Sequence, residues 1–431
     1  MKTICLFLLV MTGALAGARG EEFRTDINPA LLYYQAFTVV PDLERADRDY
    51  LWGTNNWWRG QNLTPRFGEI MAKYDAQFRL VRQAAHATVP CDWGIDRSAG
   101  PATLLPQLAR AKAVAQTARL RAMWALQQGR SADACEDLLA SLVLARNLLR
   151  DGTMISVLVQ LAIEIIVCNT IAEDFGEFPP EALQQLVAGL DAPPARGTAA
   201  AAVLNDKASY GDWASRKILE LQRENPGNDA KVMEGIRQRL GLAEPMAGER
   251  DIWVRLSQAA GGTSDGLLKL LQERARIYEQ VAGFMALPYQ EYESRVEAFR
   301  REVEKSSNFF VTNAVPGFFK ARANEFRIQV TLAMVRAAVE YRLHGAQGLQ
   351  SVADPCGQGP FAFRRFILQG VDRGFELKTA FDAGDYPQTL IFVEKEGPPF
   401  VVSGRLAGQA LEPAGFPSDA FRQRYGIPRG K

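Results

Sequence analysis

Histidine is nearly missing from this chain: 431 residues carry only His86 and His344. That scarcity argues against a histidine-built metal centre and leaves little for histidine acid–base chemistry. Cysteine is sparse too, and no two of the five are spaced as a CxxC zinc or redox motif. No glycine-rich phosphate loop, HExxH or GxSxG occurs, so P-loop nucleotide binding, zincin proteolysis and nucleophile-elbow hydrolysis have no support. There is no surplus of charge either: the formal net charge is +1, which argues against a nucleic-acid partner. Nothing points to a cofactor or a metal.

What is present begins with the first twenty residues, MKTICLFLLVMTGALAGARG. Lys2 precedes an apolar run from Ile4 to about Ala16, and small residues follow at Ala14, Ala16 and Ala18. This is the pattern of a secretory signal over residues 1–20, with a retained membrane anchor as the competing reading. The run is short for a permanent span. Cleavage after Gly20 removes Lys2 and Arg19 and takes the net charge from +1 to −1. Cys5 leaves with it. The chain is then expected in the periplasm or outside the cell, with no transmembrane span.

The body, residues 21–345, reads as helices. Asn28 and Pro29 open one as N-cap and first helical residue, and Thr64 and Pro65 open another. Leu108, Ala111, Ala115, Ala118, Ala122 and Leu126 mark one face of a helix over 102–128 that Gly129 ends. Helices over 131–150 and 154–175 follow after turns of a few residues, an up-down-up group. Further helices are expected at 180–190, 197–223, 228–241, 250–260, 264–286, 289–306 and 318–343. The hairpins are like tetratricopeptide hairpins, but no clean 34-residue period repeats, so the expected fold is an irregular antiparallel helical array. After Gly345 the pattern changes. PFAFRRFIL, GFELKTAF, TLIFVEKE and FVVSG are short, aromatic or β-branched, and bounded by turn residues. Residues 346–431 therefore read as a small antiparallel β-rich module with a tail.

The hairpin between the second and third helices of the group carries a geometric expectation. Cys135 and Cys168 lie equally far from its turn near 151–152, so they face each other in contact or in a disulfide if their rotational phases agree. The alternative is two buried free thiols.

Three stretches could carry chemistry. In VPCDWGIDRSAGP, Asp92 and Asp96 could supply an acid–base pair, but Trp93 as an apolar plug and Gly94 as a turn residue read better as a corner between two helices. In LWGTNNWWRGQN, Trp57, Trp58 and Arg59 could form a sugar-stacking platform, or a loop pinned by its indoles. Glu164, in a nearly apolar helix with Gln160 one turn before, is a general-acid candidate. The alternative is a core ion pair, with Arg119 at a similar level as partner. Asp354-Pro355 starts the turn into the first strand.

Two stretches resemble a family of exported, uncharacterised bacterial proteins with a long helical body and a small β-rich end. The first is the CDWG corner with the LLPQLARAKAVAQTARLRAMWALQQGRSADACEDLLASLVLARNL that follows. The second is EYRLHGAQGLQSVADPCGQGPFAFRRF, which is similar to the helix-to-sheet passage in the globular ends of type II secretion pseudopilins. The Tyr-Pro that usually follows the glycine is missing after Gly345, and the pseudopilin N-terminal helix is absent. The resemblance implies export and architecture and brings no activity with it.

Taken together, these features point to a binding or scaffold protein of the cell envelope, with another envelope protein or a glycan as partner. The alternative is a glycan-acting hydrolase drawing acids from Asp92, Asp96 and Glu164. A third reading places the chain beside a secretion apparatus.

Overall fold

The computed structural model describes residues 24–52, 62–192, 194–239, 250–368, 370–381 and 389–395. The expected signal, the Trp57–Trp58–Arg59 stretch, FVVSG and the tail lie outside the described residues. Over the rest the chain is mainly helical, with a small three-stranded antiparallel sheet near its C-terminal end.

Four helices come first: α1 (Pro29–Thr38), α2 (Arg45–Trp52), α3 (Pro65–Ala72) and α4 (Asp75–Ala85). Asn28 caps α1 as expected, its Oδ1 accepting from the Ala30 N–H at 3.1 Å. The three antiparallel helices follow as α5 (Pro106–Gln127), α6 (Ser131–Asn147) and α7 (Met154–Glu173). Short turns at Gly129 and Gly152 make them neighbours, and all three pack on one another. Next come α8 (Pro180–Asp191), α9 (Ala199–Asp206), a π-helical turn (Lys207–Gly211), α10 (Asp212–Glu224), α11 (Asp229–Arg239), α12 (Arg250–Ala259), α13 (Ser264–Met285), α14 (Tyr289–Glu304) and α15 (Phe309–Gln350).

Two helices differ from expectation for identifiable reasons. The stretch expected at 197–223 is helical over 199–224 but carries a π turn (Lys207–Gly211) inside it, where Gly211 lets the Arg274 guanidinium approach; a Cβ there would sit 2.9 Å from its Nη1. The helix expected from 318 starts at Phe309 and carries Pro316 inside its early turns, where a proline suggests a start rather than an interior. Gly345 does end the long straight run. It takes φ 65° and ψ −149°, and one further turn through Gln350 folds back so closely that a Cβ on Gly348 would meet the Glu340 carbonyl.

Strands β1 (Ala362–Leu368), β2 (Val371–Lys378) and β3 (Thr389–Val393) form a meander in that order, with a bulge between Phe366 and Ile367. The sheet shares the helices' core. Phe375 stacks on Phe363 and Phe392 at 5.4 and 5.1 Å. Phe175, just past α7, meets Phe375 and Phe392 edge-on, and Tyr341 of α15 packs on Phe363 and Phe375. Asp354 ties the end of α15 to the end of β2. Its Oδ1 accepts from the Cys356 N–H, and its Oδ2 accepts from the Thr379 hydroxyl and the Ala380 N–H, each at 2.7 Å. Pro355 stands exposed at the turn.

Helix α7 is long and apolar enough to cross a membrane by composition alone. Here it is the central core helix, packed by α5, α6, α15 and β3.

Candidate functional site

The corner 89–101 is structural. Trp93 is 5% exposed, stacks on Tyr33 at 5.6 Å and donates its indole N–H to the Asn147 carbonyl at 2.8 Å. Gly94 turns the chain with φ 63°. Asp92 and Asp96 are exposed and close local turns: Asp92 accepts from the Gly94 N–H at 2.9 Å, and Asp96 from the Ser98 N–H and hydroxyl. Those bonds hold the Asp96 carboxyl below its ordinary range. Gly100 lies under the Trp213 ring, where a Cβ would meet ring carbons at 2.4 Å, and the Trp213 indole donates to the Ser98 carbonyl. The corner thus stitches the N-terminal helices to α10.

Glu164 is fully buried, and its partners are not the expected one. Arg196, from the loop after α8, clasps both its oxygens at 2.9 Å, and the Arg146 guanidinium lies 3.8 Å away. Arg119 instead pairs with Glu173. Helices α5 and α7 run parallel but staggered. Arg119 meets α7 nine residues beyond Glu164, a displacement of about 14 Å. Glu164 therefore does not meet Asp92 or Asp96 in an open cleft.

The expected Cys135–Cys168 disulfide is not formed; Cys91, Cys135, Cys168 and Cys356 are all free and buried. The Cys135 and Cys168 thiols are the buried free pair of the alternative expectation. The Cys135 thiol faces α8 and donates to the Ala182 carbonyl at 3.5 Å, while Cys168 feels the Glu164, Arg146 and Arg196 charges. Burial pushes the Cys135 and Cys356 thiols up to about 12, and Cys168 upward as well. His86 caps the end of α4, and His344 stands exposed four residues after Glu340.

A surface cleft dense in charged groups lies where α4, α5 and α6 meet, and the sequence reading missed it. A cleft of ≈ 780 Å³ is walled there by Asp75, Arg79, Arg82 and His86 of α4 and its cap, Arg121 of α5, and Asp133 and Glu136 of α6. Helical periodicity puts the α4 residues on one face at spacings of three, four and seven. Behind the wall sits Asp137, 1% exposed. Arg82 Nε donates to one of its oxygens at 2.7 Å and Arg121 Nε to the other at 2.9 Å. Arg82 also meets Glu136 at 2.8 Å, Arg121 meets Asp75 at 2.6 Å and lies over the Phe78 ring, and Arg130 meets Asp133 at 3.0 Å. Burial draws the Arg82 pKa down, but Asp137, Glu136 and Asp133 together outweigh it and hold the proton more tightly than usual. The signal was legible as charged residues at helical spacing on two elements expected to be neighbours.

Among the described residues, no group of three His, Cys, Asp or Glu side chains is placed to hold a metal ion. Comparison with protein-family models, curated proteins and solved structures finds no match.

Proposed function

We propose that the chain is an exported binding protein of the cell envelope and that the Asp137-centred cleft is its recognition site. The reading rests on one observation: arginines from two helices are fixed on a buried carboxylate of a third, so the cleft walls are set before any ligand arrives. Preorganised walls spare a ligand the cost of ordering side chains. The volume also falls within the range of small-molecule sites, about 300–1,000 Å³. Export is supported by the first twenty residues. The hydrolase alternative loses its best residue, because Glu164 is sealed against two arginines.

The test is site-resolved crosslinking in the native envelope. A photoreactive residue replacing Arg130, half exposed on the cleft rim, is expected to give a single adduct species, protein or glycan. The same residue replacing the exposed Glu302 of α14 is expected to give none. Equal labelling from both positions, or none from either, refutes the proposal.

A further inference from the structure

The charges of the cleft say what class of ligand it suits. Four guanidiniums face it: Arg79, Arg82, Arg121 and Arg130. Three carboxylates share the wall, and Asp137 behind them supplies the fourth. The four guanidiniums and four carboxylates therefore balance in charge.

Balance has two consequences. No net field draws in a charged ligand from a distance. A charged ligand also competes with ion pairs already made, and the best of these are deep: the Arg82 and Arg121 side chains are 18% and 14% exposed and bonded at 2.6–2.9 Å. Breaking such a pair leaves a half-buried charge behind, which is costly.

A neutral ligand rich in hydroxyls faces neither penalty. Each carboxylate can accept about four hydrogen bonds and each guanidinium can donate five. Pairing uses only part of that capacity. The Asp75, Asp133 and Glu136 side chains remain 67%, 41% and 34% exposed and keep acceptor positions turned to solvent. Fixed planar acceptors and donors side by side match vicinal hydroxyls, each of which both donates and accepts.

We infer that the cleft between α4, α5 and α6 binds a neutral saccharide, its hydroxyls held by the outer oxygens of Asp75, Asp133 and Glu136 and the N–H groups of Arg82. This rests on the cleft being the recognition site.

The experiment titrates the full mature chain with matched tetrasaccharides: neutral glucose-, galactose- and N-acetylglucosamine-based ones, an anionic uronate and a cationic amino sugar. At least one neutral tetrasaccharide is expected to bind, with affinity changing less than about twofold between about 50 and about 500 mM salt. Asp133→Asn with Glu136→Gln is expected to weaken it at least about tenfold, since charged acceptors bind roughly twice as strongly as neutral ones and two are lost. In the unmodified chain the sugar is expected to slow hydrogen exchange in α4 and the first turns of α6, a readout that does not need the variant to fold. Preference for the uronate or the amino sugar with steep salt dependence overturns the inference, as does no binding by any of them. Protection elsewhere in the chain also overturns it. An Arg130 adduct without sugar binding refutes the ligand class alone; no Arg130 adduct refutes the recognition site as well.

Discussion

Replacing Glu164 with glutamine isolates what its charge does in the core. The shape is kept and one carbonyl oxygen still faces Arg196, so the packing is little disturbed. The charge goes, and two guanidiniums are left around a neutral group. Arg196 keeps 20% of its side chain in solvent and can recover water; Arg146, at 5%, cannot. Burial already draws the Arg146 pKa down, and Glu164 is the leading group opposing it. Arg146 retains its bonds to the Leu190, Ala192 and Pro194 carbonyls, whose dipoles offset part of the loss. Removing one partner of a buried pair costs about 3–5 kcal/mol. With the carbonyls and the exposure of Arg196 discounted, about 2–4 kcal/mol is expected.

The assay is urea unfolding followed by circular dichroism, with Glu164→Gln, Arg196→Met and the double variant forming a cycle. A coupling of about 1–3 kcal/mol is expected between the two sites. Local loosening should accompany it: the Gly197 N–H, which donates to Gln160 at 3.1 Å on the same network, should exchange faster in Glu164→Gln. A loss under about 0.5 kcal/mol, or no coupling, would refute the claim that Glu164 is a structural clasp for the α8–α9 loop.

Three further outcomes follow from named contacts. Trp93→Phe should cost about 1–3 kcal/mol in a thermal melt, because the Asn147 carbonyl loses its buried indole donor; an unchanged melting temperature would mean that the corner is not anchored there. None of the four cysteines should react with a thiol reagent in the native chain, and all four should react once it is unfolded without reductant; recovery of any disulfide overturns the free-thiol assignment. Asp174 keeps some solvent contact as a residue, but its Oδ2 is enclosed without a hydrogen-bond partner, and burial followed by the Glu173 charge raises its pKa to about 7. The unfolded chain then gives up that proton first, so stability should fall as pH rises from about 4 to about 7 and level off above. The Asp174 contribution to that loss should be about 1–4 kcal/mol, and Asp174→Asn should make the slope shallower by that amount; an equal slope in the variant refutes it.

How much of this was legible depends on whether a feature is local. The helices with apolar periodicity, and the proline and asparagine at the start of α1, are written in adjacent residues. Helix α2, RADRDYLW, is amphipathic, but eight residues are too few for its period to stand out. The π turn at Lys207–Gly211 accommodates Arg274, which lies more than sixty residues away. The partner of Glu164 was missed for a similar reason. Levels on neighbouring helices can be counted only when their stagger is known, and the true partner comes from a loop. The cleft combined both kinds of signal. Its charges are periodic and visible, but which acid meets which arginine is set by how α4 lies across α5 and α6.

Two networks of one design therefore occupy this fold. In each, a carboxylate fully out of water is gripped by two arginines from separate segments, Glu164 by Arg146 and Arg196, and Asp137 by Arg82 and Arg121. Such grips fix how elements with weak ridges of alanine and leucine lie against each other, and either would serve as a fastener. They differ in what lies outside. The Glu164 network closes over a loop, whose carbonyls occupy Arg146. The Asp137 network opens on a cleft, where further acids with free acceptor capacity stand in solvent. A fastener needs Asp137 and its two arginines. It does not need Asp75, Asp133 and Glu136 arrayed beyond them around an open volume, and that surplus is what marks the cleft, rather than the sealed glutamate, as the place where the chain meets something else.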